Sequence, residues 1–271
     1  LQSPLLVGLL EGVAVAVAST VVFFAIVVVA IVNSPGWPEA KRAFFDWSEF
    51  RDSLPEIASA FQTNVKIFLI AEVFILVFAL VLAVLRSLPG PVFFPVRALA
   101  IVYADLFRGI PTILVIYILG FGAPALGLAG IPTSTIFWGI VSLVLVYSAY
   151  VSEGYRAGIE SVHPSQEAAA RSLGLTRSQT LQFVILPQAV RRVIPPLLND
   201  FIGLQKDSAL VALLGTVEAF RQSQINVAAT FNYTPYLATA LLFVAITIPL
   251  ARFTDWLVAR DRRRQLAGRA A

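Results

Sequence analysis

Long apolar stretches recur along the chain with short polar ones between them. They lie at about 13–32, 67–85, 99–121, 136–151, 193–214 and 236–258, the fifth being interrupted by polar residues. Crossing a hydrocarbon core of about 30 Å takes about 20 apolar residues in a helix. The pattern therefore predicts an all-α integral membrane protein with six transmembrane helices. The first run is too long for a signal-peptide core and is expected to stay as a helix. Between the first two runs, segment 33–60 alternates charges with Trp37, Phe44, Phe45, Trp47 and Phe50. It reads as an amphipathic stretch on the outer membrane surface, or as a docking surface for an external partner.

One polar stretch breaks the pattern. "PSQEAAARSLGLTRSQTLQFVILPQAVRR", residues 164–192, is written like two short soluble helices. Ser165 is expected to cap the first, with Gln166 and Glu167 in its first turn. Gly174 sits where a left-handed residue would end it. Thr176 with Gln179 three residues on is a capping box opening the second helix, which is expected to end or bend at Pro187. A DNA-reading helix-turn-helix does not suit a segment tethered to the membrane within a few residues of both ends. A docking surface for another protein is the expected role, against a loop packed only on its own helices.

Composition supports the membrane reading. Hydrophobic residues make up 58% and charged residues 13% of 271, against about 25% charged in soluble domains. Lys and Arg gather beside the helix pair: Arg86, Arg97, Arg156, Arg171, Arg177, Arg191, Arg192, Arg260, Arg262, Arg263 and Arg264 fall on one side of the six-span layout. By the positive-inside rule that side is cytoplasmic, and both termini are expected there. The chain has no Cys, which excludes disulfides, thiolate metal sites and cysteine nucleophiles. Its single histidine, His163, leaves no two-histidine metal motif and is expected in a loop. No Gly-x-x-x-x-Gly-Lys-Ser/Thr phosphate loop and no Gly-x-Ser-x-Gly elbow occurs. With no Met, some N-terminal residues are expected beyond those given.

"AAARSLGLTRSQTLQFVILPQ" resembles the EAA loop of membrane subunits in ABC importers: Glu-Ala-Ala, three residues, Gly, nine residues, Ile, one residue, Leu-Pro. Aligned on Gly174, Ala169, Ala170, Val184, Leu186 and Pro187 fall in place. The family's glutamate position holds Ala168, and Glu167 lies one residue earlier, rotated by about 100° on a helix. "YADLFRGIP" (103–111), "YRAGIESV" (155–162), "PQAVRRVIPPLLNDFIGLQKDSAL" (187–210) and "FNYTPY" (231–236) are similar to the polar amino-acid uptake branch of that family. The resemblance implies a five-helix type I importer core over 61–260, with the coupling loop at 156–192. Residues 1–32 would add one N-terminal helix, and 261–271 a cytoplasmic tail. It further implies a bacterial plasma-membrane permease that is not itself an enzyme and carries no cofactor. ATP and Mg would sit on separate cytoplasmic ATPase subunits. A second permease copy or paralogue and an external solute-binding protein would complete the assembly, with no nucleic acid. Glu167, Ala168, Ala169, Ala170, Arg171, Gly174, Arg177, Leu186 and Pro187 would form the surface gripped by the ATPase, with the alanines keeping the helix slim.

Ionisable groups inside spans are costly and are functional candidates. Asn199, Gly203 and Lys206 share one face of the fifth run, with Asp200 and Asp207 beside it. Glu72, Asn199, Gly203, Lys206, Asp207 and Ser208 are candidates to line the path of a zwitterionic solute. The other reading pairs Lys206 and Asp207 with neighbours such as Glu72 and simply fixes the bundle. Glu153 is expected to serve packing, Asp105 to pair with Arg108, Glu11 to lie at an interface, and Glu218 with Arg221 to form an external gate or a solvated loop. The alternative function is a gradient-driven transporter or channel working without an ATPase.

Overall fold

The computed structural model describes residues 4–267, with side chains from 12 to 260. Glu11, Arg262, Arg263, Arg264 and the rest of the 261–271 tail therefore have no described side chains. Among the described residues there is no strand. The helices are α1 (Pro4–Val32), α2 (Trp37–Phe44), α3 (Trp47–Ser87), α4 (Phe94–Gly109), α5 (Thr112–Tyr117), α6 (Ala123–Ala125), α7 (Thr135–Glu160), α8 (Pro164–Ser172), α9 (Arg177–Thr180), α10 (Leu186–Asp207), α11 (Ala219–Thr230) and α12 (Thr234–Ala267). A π-turn joins α5 to α6 and another joins α9 to α10, while a 3₁₀ segment, Ser208–Leu214, extends α10.

Four single helices among the described residues have the length and apolarity of a span: α1, α3, α7 and α12. The expected count of six is not reproduced, for two physical reasons. The third run is broken, because Pro111 drives Ile110 into an extended conformation (φ −94°, ψ 130°) and α4 turns by 104° into the α5–α6 rod. The fifth run belongs to α10, too polar to pass as a span on composition. Pro195 and Pro196, expected in the first turn of that span, lie in the interior of α10.

Segment 33–60 falls into two elements. α2 is a separate short helix, and from Trp47 onward the chain is already α3. That helix runs unbroken for 41 residues, about 60 Å at 1.5 Å per residue. Ser53 and Ile57 in its N-terminal third are buried against α11 and α12.

The core forms where α3 meets α7 and α10. Ile67, Phe68, Ala71, Ile75 and Ala79 make one stripe on α3 against Leu143 and Val151 of α7 and Leu204 of α10. In a bilayer, lipid tails are as apolar as the core, so close packing of small residues holds helices together. Gly139 and Gly158 of α7 serve this purpose: a Cβ at either would run into Val211 or Val193. The outward faces stay apolar, as the composition requires; Val73, Phe74, Val77 and Leu80 of α3 are exposed. α1 buries none of its apolar span against the bundle.

Glu153 ties three helices. Its carboxylate accepts from Arg86 of α3 at 2.8 Å, lies 3.8 Å from Arg108 of α4, and pairs with Arg156, which also reaches Glu160. The packing role expected of Glu153 is what the structure shows. The expected Asp105–Arg108 pair is replaced by Arg108–Glu153, because α4 presents Arg108 to α7. Arg86 is only 11% exposed, so Glu153→Ala leaves a largely buried guanidinium short of its partner. The expected loss is about 2 kcal/mol, between the exposed and buried limits for ion pairs, read from thermal unfolding in detergent.

Candidate functional site

Two features collect the chemistry: the polar hairpin at 163–187 and a cavity between α7 and α10. The hairpin's first helix is capped by His163, whose Nδ1 accepts from the Ser165 N–H at 3.2 Å, with Pro164 in the first turn. Ser165, the expected cap, thus lies two positions too late, and the imidazole takes over its task. The exit matches expectation. Gly174 has φ +86°, the Leu175 N–H donates to Ala170 O at 3.3 Å, and the Gly174 N–H donates to Arg171 O at 3.0 Å. These two bonds close the turn in the manner of a glycine-terminated helix. Thr176 and Gln179 form the expected reciprocal capping box, at 2.9 and 3.3 Å.

The second helix does not stop at Pro187. It widens into the π-turn Leu181–Ile185 and continues as α10. The wide turn sits just before Pro187, which lacks the N–H that an α-turn would spend on Phe183. The hairpin is therefore rigidly continuous with a helix that runs into the bundle. Ala170 packs inward at 5% exposure, while Glu167, Ala168, Ala169, Arg171 and Arg177 face out. Around them Leu173 is 84% and Phe183 63% exposed, and Leu186 is exposed too. An apolar patch rimmed by charge, on the most polar part of the chain, is the composition of an interface.

The cavity holds about 210 Å³ and is lined by Thr112, Tyr147, Tyr150, Asn199, Asp200, Gly203 and Asp207. The Tyr147 hydroxyl donates to Asp207 Oδ2 at 2.9 Å. Gly203 makes room for that ring, since a Cβ there would stand 3.1 Å from the Tyr147 hydroxyl. Asn199, Gly203 and Asp207 thus line one cavity, together with Asp200. Lys206 is not with them: it points into a separate hollow with Phe220, Tyr236 and Phe243. Glu72 is not among the residues that line the cavity. Ser208 is buried, accepting from Asn64 at 3.2 Å and donating to Gln205 O; it is packing, not lining. Tyr147 and Tyr150 joined the site only in three dimensions, because nothing in their spacing links them to α10.

Glu218 is not a solvated loop residue; it is fully buried. It caps α11 through the N–H groups of Phe220 (3.1 Å) and Arg221 (2.7 Å) and accepts from Asn64 at 2.7 Å. The Asn64 Oδ1 in turn accepts the Ala219 N–H. Burial pushes the Glu218 carboxyl above its ordinary range, against the lowering effect of Asn64 and the two backbone donors. The folded state therefore holds this proton more tightly than the unfolded one. Stability is highest below the ordinary value of about 4.3 and falls as pH rises through the raised one. Glu218→Gln is expected to flatten that fall in melts taken at stepwise higher pH from about 4 upward.

A broken-span bundle with a rigid polar hairpin leading into a polar intramembrane cavity is the architecture of a multi-pass importer permease. Residues 75–263 match the family described as binding-protein-dependent transport system inner membrane component, and the chain belongs to that family. It is a membrane-spanning permease subunit of an ABC importer, which decides against the gradient-driven carrier. Membership implies ATPase and solute-binding partners and a multi-pass inner-membrane location. The chain is 36% identical over 170 residues to a probable glutamine ABC transporter permease protein of Bacillus subtilis, covering 62% of this chain and 77% of the relative. It is 31% identical over 215 residues to the arginine transport system permease protein of the same organism, covering 79% and 96%. A crystal structure of an amino acid ABC transporter with histidines superposes with TM-score 0.73 at 29% identity, covering 79% of this chain and 98% of that one. An inward-facing methionine ABC transporter shares the fold alone, with TM-score 0.60 at 18% identity over 75% and 95% of the two chains.

Proposed function

We propose that this permease imports a polar amino acid, with ATP and Mg bound and ATP hydrolysed on separate cytoplasmic subunits that grip the 163–187 hairpin. The relatives named for glutamine, arginine and other amino acids support the substrate class. The observation that carries the coupling is the unbroken helical path from the hairpin's second helix through the π-turn into α10. A push on the exposed alanines and Leu173 reaches Asn199, Asp200 and Asp207 along one rod. Gly158 of α7, pressed on Val193, passes the movement to the rest of the bundle. Glu167 stands beside Ala168 on the exposed side of α8 and takes the place nearest the family's glutamate. Arg171 and Arg177 clamp carboxylates of the ATPase. Both termini and the hairpin lie on the cytoplasmic side, by the distribution of arginines.

A second permease copy, or a related chain, closes the path with this one, and an external solute-binding protein delivers the amino acid. The amino acid shifts the cycle only by binding outward-open and inward-open states with different affinity. The tagged chain purified from its native membrane in mild detergent is expected to bring down an ATPase bearing a phosphate loop in stoichiometric amount. A clean preparation with no such ATPase would refute the coupling.

A further inference from the structure

The cavity between α7 and α10 is chemically lopsided. Asp200 and Asp207 bring carboxyls to its wall, Thr112, Tyr147 and Tyr150 bring hydroxyls, Asn199 brings an amide, and no Lys or Arg lines it. Basic residues flank the lining in sequence, yet both are turned elsewhere. Lys206, beside Asp207, lines the hollow with Phe220 and Tyr236, and Arg108, one turn before Thr112, stands 3.8 Å from Glu153. Among the described residues neither Asp200 nor Asp207 has a Lys or Arg nitrogen within 4.0 Å. Donors are scarce too. The Tyr147 hydroxyl gives its proton to Asp207 Oδ2 at 2.9 Å, and the Tyr150 hydroxyl gives its proton to Arg108 O at 3.3 Å. The Thr112 hydroxyl and the Asn199 amide remain as donors, against both Asp200 oxygens and Asp207 Oδ1 as acceptors.

The two acids stand at two levels. They are seven residues apart on α10, on one side of the helix and about 10 Å apart along its axis. An unpaired carboxylate inside a membrane is costly, and a bound ammonium or guanidinium favours the ionised form of an acid beside it. A basic amino acid carries two such groups, the α-ammonium at one end and the side-chain cation at the other. Glutamine carries only one, and its amide carbonyl adds an acceptor to a wall already rich in them. Glutamate adds a second carboxylate. We propose that this cavity selects a basic amino acid, one of Asp200 and Asp207 taking the α-ammonium and the other the ε-ammonium or guanidinium group. The inference rests on the reading that the imported amino acid passes between α7 and α10, and it narrows the solute from polar to cationic. Tyr147 is a positioning residue here, since its hydroxyl holds Asp207 and leaves Oδ1 for the solute.

The test uses the intact transporter in lipid nanodiscs without its solute-binding protein, so that the selectivity measured belongs to the membrane subunits. Radiolabelled arginine is bound at equilibrium, with lysine, glutamine and glutamate as competitors. Lysine is expected to compete within about threefold of arginine, and glutamine and glutamate at least about tenfold more weakly. Asp200→Asn and Asp207→Asn are each expected to weaken arginine about tenfold. At the acid that meets the side chain, glutamine affinity stays unchanged and the preference collapses; at the other, both affinities fall together. Glutamine or glutamate binding as tightly as arginine would overturn the inference, as would unchanged arginine affinity in both variants. So would a preparation active in uptake that binds no arginine. Each of those results leaves amino-acid import itself standing. Failure of the transporter, supplied with its solute-binding protein, to take up any polar amino acid on ATP would instead overturn the reading beneath it.

Discussion

Gly174→Asp is expected to leave the permease in the membrane at near-normal abundance and to cut ATP-driven uptake by about tenfold or more. Both halves follow from the hairpin's geometry. Gly174 has φ +86°, and no atom lies within 4 Å of where its Cβ would be. A non-glycine residue there meets no clash and costs about 1–2 kcal/mol of backbone strain, small beside the packing of a bundle that lies elsewhere. The carboxylate, however, would project at the tip between Leu173 and Leu175, on the surface proposed to seat in the ATPase. Burying an unpartnered charge at an interface costs several kcal/mol, more than the 1.4 kcal/mol that a tenfold loss requires. Gly174→Ala separates the two effects: it carries the strain without the charge and should lose much less uptake. Quantitative blotting of membranes alongside radiolabelled uptake checks the pair. Equal losses from Ala and Asp would mean that turn strain, not docking, is what matters.

Asp207→Asn is expected to reduce uptake by about tenfold with little change in folded yield. Asn has the same shape and its carbonyl still accepts from the Tyr147 hydroxyl, so the packing between α7 and α10 survives. What is lost is the carboxyl group facing the cavity where the amino acid is proposed to pass. Lys206→Ala is expected to do far less, because Lys206 faces the Phe220–Tyr236–Phe243 hollow instead. Uptake by both variants, normalised to folded protein from size-exclusion profiles, makes the comparison. A severe loss from Lys206→Ala beside a mild one from Asp207→Asn would place the path on the other side of α10.

The contrast between those two neighbours shows where sequence ran out. Periodicity places Asn199, Gly203 and Lys206 on one stripe, and it places Asp207 beside them. Which edge of a stripe meets a cavity depends on how α10 is rotated against α7. That rotation is set by Gly158 against Val193 and Gly203 against Tyr147, contacts between residues about 35 and 55 positions apart that no local pattern encodes. Local punctuation was legible for the same reason in reverse. Gly174 and the Thr176–Gln179 box are decided within four residues, and both appear as read. His163 shows the limit even there, since an imidazole acceptor is a rarer cap than the serine two residues on. The breaks were harder. Pro111 and Pro187 each spoil an α-turn, yet one bends the chain by 104° and the other is absorbed by a π-turn inside a continuous helix. Proline chemistry is the same at both; the surrounding packing differs. Glu218 looked like a loop charge because its partner Asn64 lies 154 residues away.

The exposed alanine face of α8 is where an ATPase subunit is proposed to hold this chain. Since the chain has no cysteine, Ala169→Cys gives a unique thiol on that face. In native membranes a short bifunctional reagent should join it in high yield to an ATP-hydrolysing subunit, and the yield should change when nucleotide is added. Labelling of Ala169→Cys by a water-soluble maleimide at full rate, with no cross-link to any ATPase in transport-competent membranes, would contradict the account.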